Sequence, residues 1–129
     1  FKDVAMQLVS RLMDYVLARR NKDGLMVWMP GDWIFIDWAA NLSKKGEVSF
    51  EQLLFARSLE TMALCANIIN DKDAATQYNS LAVDLRKKLF DIYWNNQKQA
   101  LVHSRVDGKQ TENVTRYANM FSIFFYYLY

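Results

Sequence analysis

The sequence holds few of the residues that build cross-links and metal sites. It contains one cysteine, Cys65, and one histidine, His103. A lone cysteine excludes a disulfide framework and a cysteine-rich metal site within the chain, and a lone histidine excludes any site that needs two. Cys65 lies in the stretch TMALCANII, where we expect it to pack as a small apolar side chain. The sequence therefore predicts no metal ion and no cofactor.

The sequence also lacks a large excess of positive or negative charge, and it lacks a long run of apolar residues. The 16 basic and 14 acidic residues leave a net charge of +2, which does not favour a nucleic acid as partner. The closing stretch FSIFFYYLY is too short and too rich in tyrosine to cross a bilayer. With 52% hydrophobic residues, the composition is that of a globular protein with a sizeable core.

The 129 residues correspond to one structural segment, residues 1–129, without a second domain. Phe1 already lies on a helical apolar stripe, and the final residues continue another such stripe. We therefore expect an internal piece of a larger polypeptide, with the rest of that polypeptide as a partner. The oligomeric state is left open.

Apolar residues recur at helical spacing along four stretches, which predicts an all-α fold of helical hairpins. The predicted helices cover about 1–19, 49–69, 72–93 and 113–129.

Short motifs mark several boundaries of these helices. The sequence SFEQ predicts a capping box, in which Ser49 and Gln52 close the start of the second helix. NDKD, residues 70–73, predicts a tight turn and a cap for the third helix. Partial alternation in ALVHSRVDGKQ, with a turn at Asp107 and Gly108, predicts a short hairpin before the fourth.

The predicted links between helices differ greatly in length, because the first and third are long and the second is very short. In an up-and-down array of helices alternate links lie at the same end, so both long links are predicted on one rim. Compact helix links need only about 2–8 residues, and long loops often carry function. Helices with wide apolar stripes also need neighbours on both sides, which a closed ring of hairpins, an (α/α)6 toroid, supplies.

The first long link contains GDWIFIDW, an unusual concentration of aromatic rings and carboxylates. An indole is a rigid apolar plate that can cover the face of a sugar ring, and a carboxylate accepts hydrogen bonds from vicinal hydroxyls. Trp33 beside Asp32 therefore forms a candidate sugar-binding unit, with Asp37 and Trp38 as neighbours. The alternative is that the rings plug the loop onto the helix ends, with Asp32 or Asp37 as a cap.

Other polar residues are expected to have structural roles. Asp71 and Asp73 are interpreted as helix caps, and Glu112 as a cap or dipole partner of the last helix. His103 and Arg105 lie on the second long link, from which they could reach a ligand, but a surface role is favoured.

A long helix, then DGLMVWMPGDWIFIDW, then two capped helices and QTENVTRYANMFSIFF, resembles the catalytic toroid of bacterial α-L-rhamnosidases. In that family a Gly-Asp-Trp signature lies on an active-site loop of an (α/α)6 barrel, and a later helix often opens with Gln-Thr. Gly31, Asp32 and Trp33 match the signature, and Gln110 and Thr111 match the second feature. The resemblance covers nearly the whole chain, as a middle slice of the catalytic domain.

The resemblance implies hydrolysis of terminal α-L-rhamnosides with inversion, in which one carboxylic acid protonates the leaving oxygen and a carboxylate activates water. The family's acid lies upstream of the Gly-Asp-Trp loop and its base on a later loop. We therefore expect this chain to lack the catalytic pair, to be inactive by itself, and to bind sugar through Asp32, Trp33, Asp37 and Trp38. The resemblance also suggests periplasmic or secreted residence.

Two other interpretations stay open. AATQYNSLAVDL is similar to the small-aromatic-small pattern of tetratricopeptide repeats, which would make the chain a helical-repeat interaction module. Against this, no period of about 34 residues recurs. A toroid could also serve a polysaccharide lyase or a glycosidase of other specificity.

Overall fold

The structure, a computed structural model, describes residues 2–27, 29, 31–32 and 45–128. Within these ranges the chain forms four helices and five short strands. Their bounds are α1 Lys2–Leu17, β1 Glu47–Val48, α2 Ser49–Ile68, α3 Lys72–Tyr93, β2 Trp94–Asn95, β3 Ala100–Leu101, β4 Ser104–Val106, β5 Lys109–Gln110 and α4 Arg116–Phe124.

Helix α2 is the centre of the core. Apolar side chains are distributed around it, so it is buried against several elements at once, and it contacts α1, α3, α4 and β1. Its fully or nearly fully buried side chains include Leu53, Phe55, Ala56, Leu59, Met62, Ala63 and Ala66.

Helices α2 and α3 form a tight hairpin. Asn70 adopts the left-handed conformation with φ of 64°, and the Asp71 carboxylate accepts a hydrogen bond from the Ala74 amide at 3.0 Å. The cap predicted from NDKD is therefore confirmed at Asp71. Buried alanines on both helices, among them Ala63 and Ala82, leave room for the two backbones to lie close together.

The second connector, between α3 and α4, contains the predicted hairpin. Strands β4 and β5 pair around Asp107 and Gly108, which both have positive φ, as a two-residue turn of this kind requires. The helical periodicity gave no indication that β4 also pairs with β1, through Glu47 opposite Arg105 and Val48 opposite Ser104. Strands β2 and β3 form a separate antiparallel pair.

The fourth helix is shorter than the predicted 113–129 and covers nine residues, Arg116–Phe124. Its predicted first turn is extended instead, because Val114 bridges Val102 and the Asn113 carbonyl accepts from the His103 amide at 2.7 Å. At the other end Tyr126 has φ of 59°, and the Tyr127 amide turns back to the Ser122 carbonyl. Side-chain periodicity did not reveal this competing backbone pairing.

The predicted capping box at SFEQ is wrong. The Ser49 hydroxyl donates to the His103 carbonyl at 2.8 Å, and the Gln52 side chain bonds both the amide and the carbonyl of Met26 at 2.9 Å. Ser49 and Gln52 are both buried, so their polar groups anchor the two connectors to α2 and do not close its first turn.

The first helix ends at Leu17, two residues before its predicted limit, because Ala18 and Arg19 form a turn. The described chain is therefore mainly helical, as predicted, with two small sheets in addition. Among the residues that the structure describes, no helix combines the length and the apolar character that a bilayer crossing requires.

Candidate functional site

Asp32 closes a turn that begins at Met29, in the first connector, between α1 and α2. Its amide donates to the Met29 carbonyl at 3.0 Å, and its carboxylate accepts from the Met29 amide at 2.9 Å. Gly31 has φ of 94°, a conformation that glycine adopts without strain. The turn therefore holds the aspartate of the Gly-Asp-Trp motif in one orientation.

Arg19 fixes the same carboxylate from the end of α1. Its Nη2 lies 2.5 Å from Asp32 Oδ2, and its Nη1 donates to the Tyr15 hydroxyl at 2.5 Å. The guanidinium carbon is also 4.8 Å from the centre of the Tyr15 ring. The Arg19 hydrogen bond, followed by the Met29 amide, lowers the pKa of Asp32, so Asp32 is an ionised acceptor at neutral pH.

Glu51 is the second carboxyl group of this region, and it lies in the first turn of α2. It lines an open groove of about 490 Å³ between α1 and α2, whose walls include Val16, Met26 and Leu54. Burial in this apolar surrounding raises the pKa of Glu51 to about 7, and the negative charge of Asp32 contributes to the increase. The pKa of Glu51 thus lies well above that of an exposed glutamate.

The two carboxyl groups thus differ in their protonation. The pKa of Asp32 is lowered by its hydrogen bonds, whereas the pKa of Glu51 is raised by burial. Pairs of carboxyl groups whose surroundings move their pKa values apart are typical of acid–base and polar binding sites. Within the described ranges, no three histidine, cysteine, aspartate or glutamate side chains form a possible metal site.

Arg105 joins the two connectors, although it was predicted at the surface. Its side chain is only 13% exposed, and its Nη2 lies 2.7 Å from Asp23 while its Nε lies 3.2 Å from Glu47. Asn21 adds a hydrogen bond to Glu47 at 2.7 Å. The surface prediction for Arg105 is therefore wrong, because two carboxylates of the first connector compensate its charge.

The surface prediction for His103 is wrong as well. Its side chain is fully buried, and its carbonyl accepts from both the amide and the hydroxyl of Ser49. Glu112 is not the cap of α4, because Thr115 occupies that position. Glu112 pairs with Lys98 at 3.0 Å and is 91% exposed.

Of the four predicted sugar-binding residues, the structure describes Asp32. Trp33, Asp37 and Trp38 lie outside the described residues, and their roles stay predictions.

Sequence reasoning missed Arg19 and Glu51. Arg19 is one of two adjacent arginines after an amphipathic helix, and Glu51 lies inside a motif that predicts a cap. No local signal distinguishes these residues from ordinary surface charges, because Arg19 binds Asp32 and the pKa of Glu51 responds to the charge of Asp32 only once the chain has folded.

Comparisons with known proteins add to this geometry. No match to the sequence was found among curated proteins. The family model described as the bacterial alpha-L-rhamnosidase 6 hairpin glycosidase domain matches residues 5–128, nearly the entire chain. Such a domain is helical, in agreement with the four described helices. The chain therefore belongs to the bacterial alpha-L-rhamnosidase six-hairpin glycosidase domain family.

Proposed function

We propose that this chain is the sugar-binding part of an (α/α)6 catalytic toroid that hydrolyses terminal α-L-rhamnosides with inversion. Membership of a glycosidase domain family supports a carbohydrate substrate and a glycosidase parent. In this proposal the general acid and base come from other parts of the polypeptide, and residues 1–129 are inactive by themselves. Inversion needs an acid on one side of the glycosidic bond and a base-activated water on the other.

The observation that carries the proposal is the ordered carboxylate of Asp32. Arg19 and the Met29 amide hold it ionised and in a fixed direction, as a group that accepts hydrogen bonds from sugar hydroxyls must be held. Asp32 would bind the sugar hydroxyls, and Trp33 would cover the apolar face of the ring. Asp37 and Trp38 would be further contacts on the same connector.

The contact between the two connectors supports the proposal that both of them line the same cleft. Arg105 on the second connector is bound to Asp23 and Glu47 of the first. Both connectors would then lie on one rim of the toroid, where they could contribute to the same sugar-binding cleft.

The apolar residues exposed on α1 support the larger ring. Val4, Leu8, Leu12 and Tyr15 recur at helical spacing, and each is more than half exposed. Neighbouring hairpins of a six-hairpin domain would cover this face, so the rest of the polypeptide is the proposed partner.

Hydrolysis of an aryl α-L-rhamnoside by the full-length polypeptide that contains this chain tests the reaction. We expect release of the aryl group and, by NMR during the first turnovers, rhamnose of the inverted anomeric configuration. A folded protein without activity on this substrate and on related deoxysugar glycosides would overturn the assignment. Activity on another deoxysugar alone would keep the toroid and change the specificity.

Variants of the motif test the binding roles. We expect Asp32→Asn to raise KM about 10- to 100-fold, because a hydrogen bond to a charged group contributes about 1.5–3 kcal/mol. Trp33→Ala is expected to raise KM about tenfold through lost stacking. Matched controls are Asp107→Asn in the β4–β5 turn and Trp94→Ala beside Phe90. If Trp33→Ala lowers stability and leaves KM unchanged, a helical-repeat scaffold is the better interpretation.

A further inference from the structure

We propose that Tyr15 is a positioning residue of the sugar-binding site, which holds the Arg19 guanidinium in the orientation that directs the carboxylate of Asp32. Tyr15 lies on α1, outside the Gly-Asp-Trp motif, and it would act through Arg19 without touching the sugar. This inference rests on the proposed function, because it assigns Tyr15 a role in binding by Asp32.

The chain reverses its direction directly after α1. The Asn21 amide donates to the Leu25 carbonyl at 2.8 Å, and the Asn21 side-chain oxygen accepts from the Leu25 amide at 3.1 Å. The Val27 amide then donates to the Arg19 carbonyl at 3.4 Å, so the first connector runs back past the end of α1. This reversal brings Asp32 within reach of Arg19. The backbone thus determines where Arg19 lies, but it does not determine how the side chain is turned.

Tyr15 gives the guanidinium a second fixed point. An arginine side chain has several rotatable bonds, so the plane of its guanidinium is defined only when more than one of its donors is bound. The Arg19 Nη2 lies 2.5 Å from Asp32 Oδ2, and Nη1 donates to the Tyr15 hydroxyl at 2.5 Å. The guanidinium carbon is also 4.8 Å from the centre of the Tyr15 ring, within the range of a cation–π contact. Tyr15 and Asp32 therefore hold the group together.

The contact between Tyr15 and Arg19 should affect the direction of Asp32 more than the stability of the fold. Exposed side-chain pairs four residues apart stabilise a helix only slightly. Tyr15 is 58% exposed, so its hydroxyl is not part of the core. The Arg19 and Asp32 side chains are only 19% and 30% exposed, and a partly buried ion pair is screened less by water and salt.

In the larger ring Tyr15 would be shielded from water as well. It belongs to the exposed face of α1, with Leu8 and Leu12, that neighbouring hairpins are proposed to cover. Exclusion of water from this face would strengthen the hydrogen bond between Tyr15 and Arg19, because such bonds are stronger at a low local dielectric constant. The full-length polypeptide is therefore the form in which the role of Tyr15 should be measured.

Removal of one hydroxyl group tests the proposal in the full-length polypeptide, with an aryl α-L-rhamnoside as substrate. Tyr15→Phe keeps the ring and removes the acceptor for Arg19, so we expect KM to rise about three- to tenfold while kcat stays within about twofold of the wild-type value. Tyr15→Leu removes the ring as well and should raise KM further. Tyr126→Phe, at a tyrosine that is 72% exposed, is the matched control and should leave KM unchanged.

A double-mutant cycle separates positioning from a structural role. In the Asp32→Asn background, Tyr15→Phe should change KM by less than about 1.5-fold, because its effect passes through Arg19 to the carboxylate that is no longer present. The urea unfolding midpoint of Tyr15→Phe should match that of the wild type.

Three results would overturn the inference while the proposed function stands. They are an unchanged KM in Tyr15→Phe, an equal increase of KM in the wild-type and Asp32→Asn backgrounds, and a loss of kcat that accompanies a lower unfolding midpoint. If Asp32→Asn itself leaves KM unchanged, or if the wild type hydrolyses no rhamnoside, the proposed function fails first and the inference fails with it.

Discussion

At the scale of single residues, Arg19 determines how the motif aspartate is oriented. It lies just beyond α1 and binds Tyr15 with one nitrogen and Asp32 with another. A guanidinium can make these two directional bonds together because its donors are fixed in a plane, whereas a lysine ammonium is a flexible point charge. Asp32 thus depends on a residue outside the Gly-Asp-Trp motif for its direction and its charge.

We predict that Arg19→Lys lowers kcat/KM of the full-length protein on an aryl α-L-rhamnoside about tenfold, mainly through KM. The pKa of Asp32 is lowered first by the Arg19 hydrogen bond, so the acidic limb of the pH profile should move to higher pH. Arg11→Lys, on an exposed position of α1, is the matched control. Equal behaviour of the two variants would mean that Arg19 does not position Asp32.

At the scale of elements, the approach of β1 to β4 brings the two connectors together, and Gly46 makes this approach possible. It has φ of 74°, and a Cβ at this position would lie 2.2 Å from the Arg105 carbonyl oxygen. Any other residue would combine an unfavourable backbone conformation with a clash against the backbone of β4.

Gly46→Ala is predicted to destabilise the fold by about 2–4 kcal/mol, measured by urea unfolding. Gly108→Ala is the control, because Gly108 has φ of 76° but a Cβ added there would have no other atom within 4 Å. This variant should lower the free energy of unfolding by only about 1 kcal/mol, the cost of placing alanine in a left-handed backbone conformation without a clash. A difference between the variants smaller than about 0.5 kcal/mol would contradict the steric explanation.

The elements also show which parts of the structure are predictable. The positions of α2 and α3 could be predicted from the spacing of apolar residues and from the Asp71 cap. Both signals are local, because each depends on residues within about one helical turn. The role of Ser49 could not be predicted from local sequence, because its hydroxyl donates to the carbonyl of His103, 54 residues away. The motif that carries Asp32 was visible in the sequence, but its electrostatic partners Arg19 and Glu51 belong to other elements.

At the scale of the whole molecule, the carboxyl groups of the site affect stability in opposite directions. The pKa of Glu51 is raised from 4.5 to about 7, so its contribution is fully present below pH 4.5 and is lost as the pH rises to about 7. The pKa values of Asp23 and Asp32 are lowered, chiefly by hydrogen bonds from Arg105 and Arg19. Their contributions are present above an ordinary pKa of 3.8 and are lost as the pH falls further.

These signs predict that the contributions of the three groups together are greatest near pH 4–5. Urea unfolding at a series of pH values should show wild-type stability decreasing between pH 4.5 and 7, and Glu51→Gln should lack this decrease. Glu112→Gln should retain it. Identical slopes in the wild type and in Glu51→Gln would show that Glu51 titrates normally in the folded protein.

The ion pair between Arg105 and Asp23 spans 82 residues of sequence. Contacts between such distant residues carry a large loop-closure cost, which is reduced once intervening segments have folded. We therefore expect the α2–α3 hairpin to form early and the two connectors to join late, so that the connector that carries Asp32, the proposed sugar-binding residue, is among the last parts of the chain to be organised. Refolding of the protein should accordingly restore helical circular dichroism before it restores affinity for the glycoside.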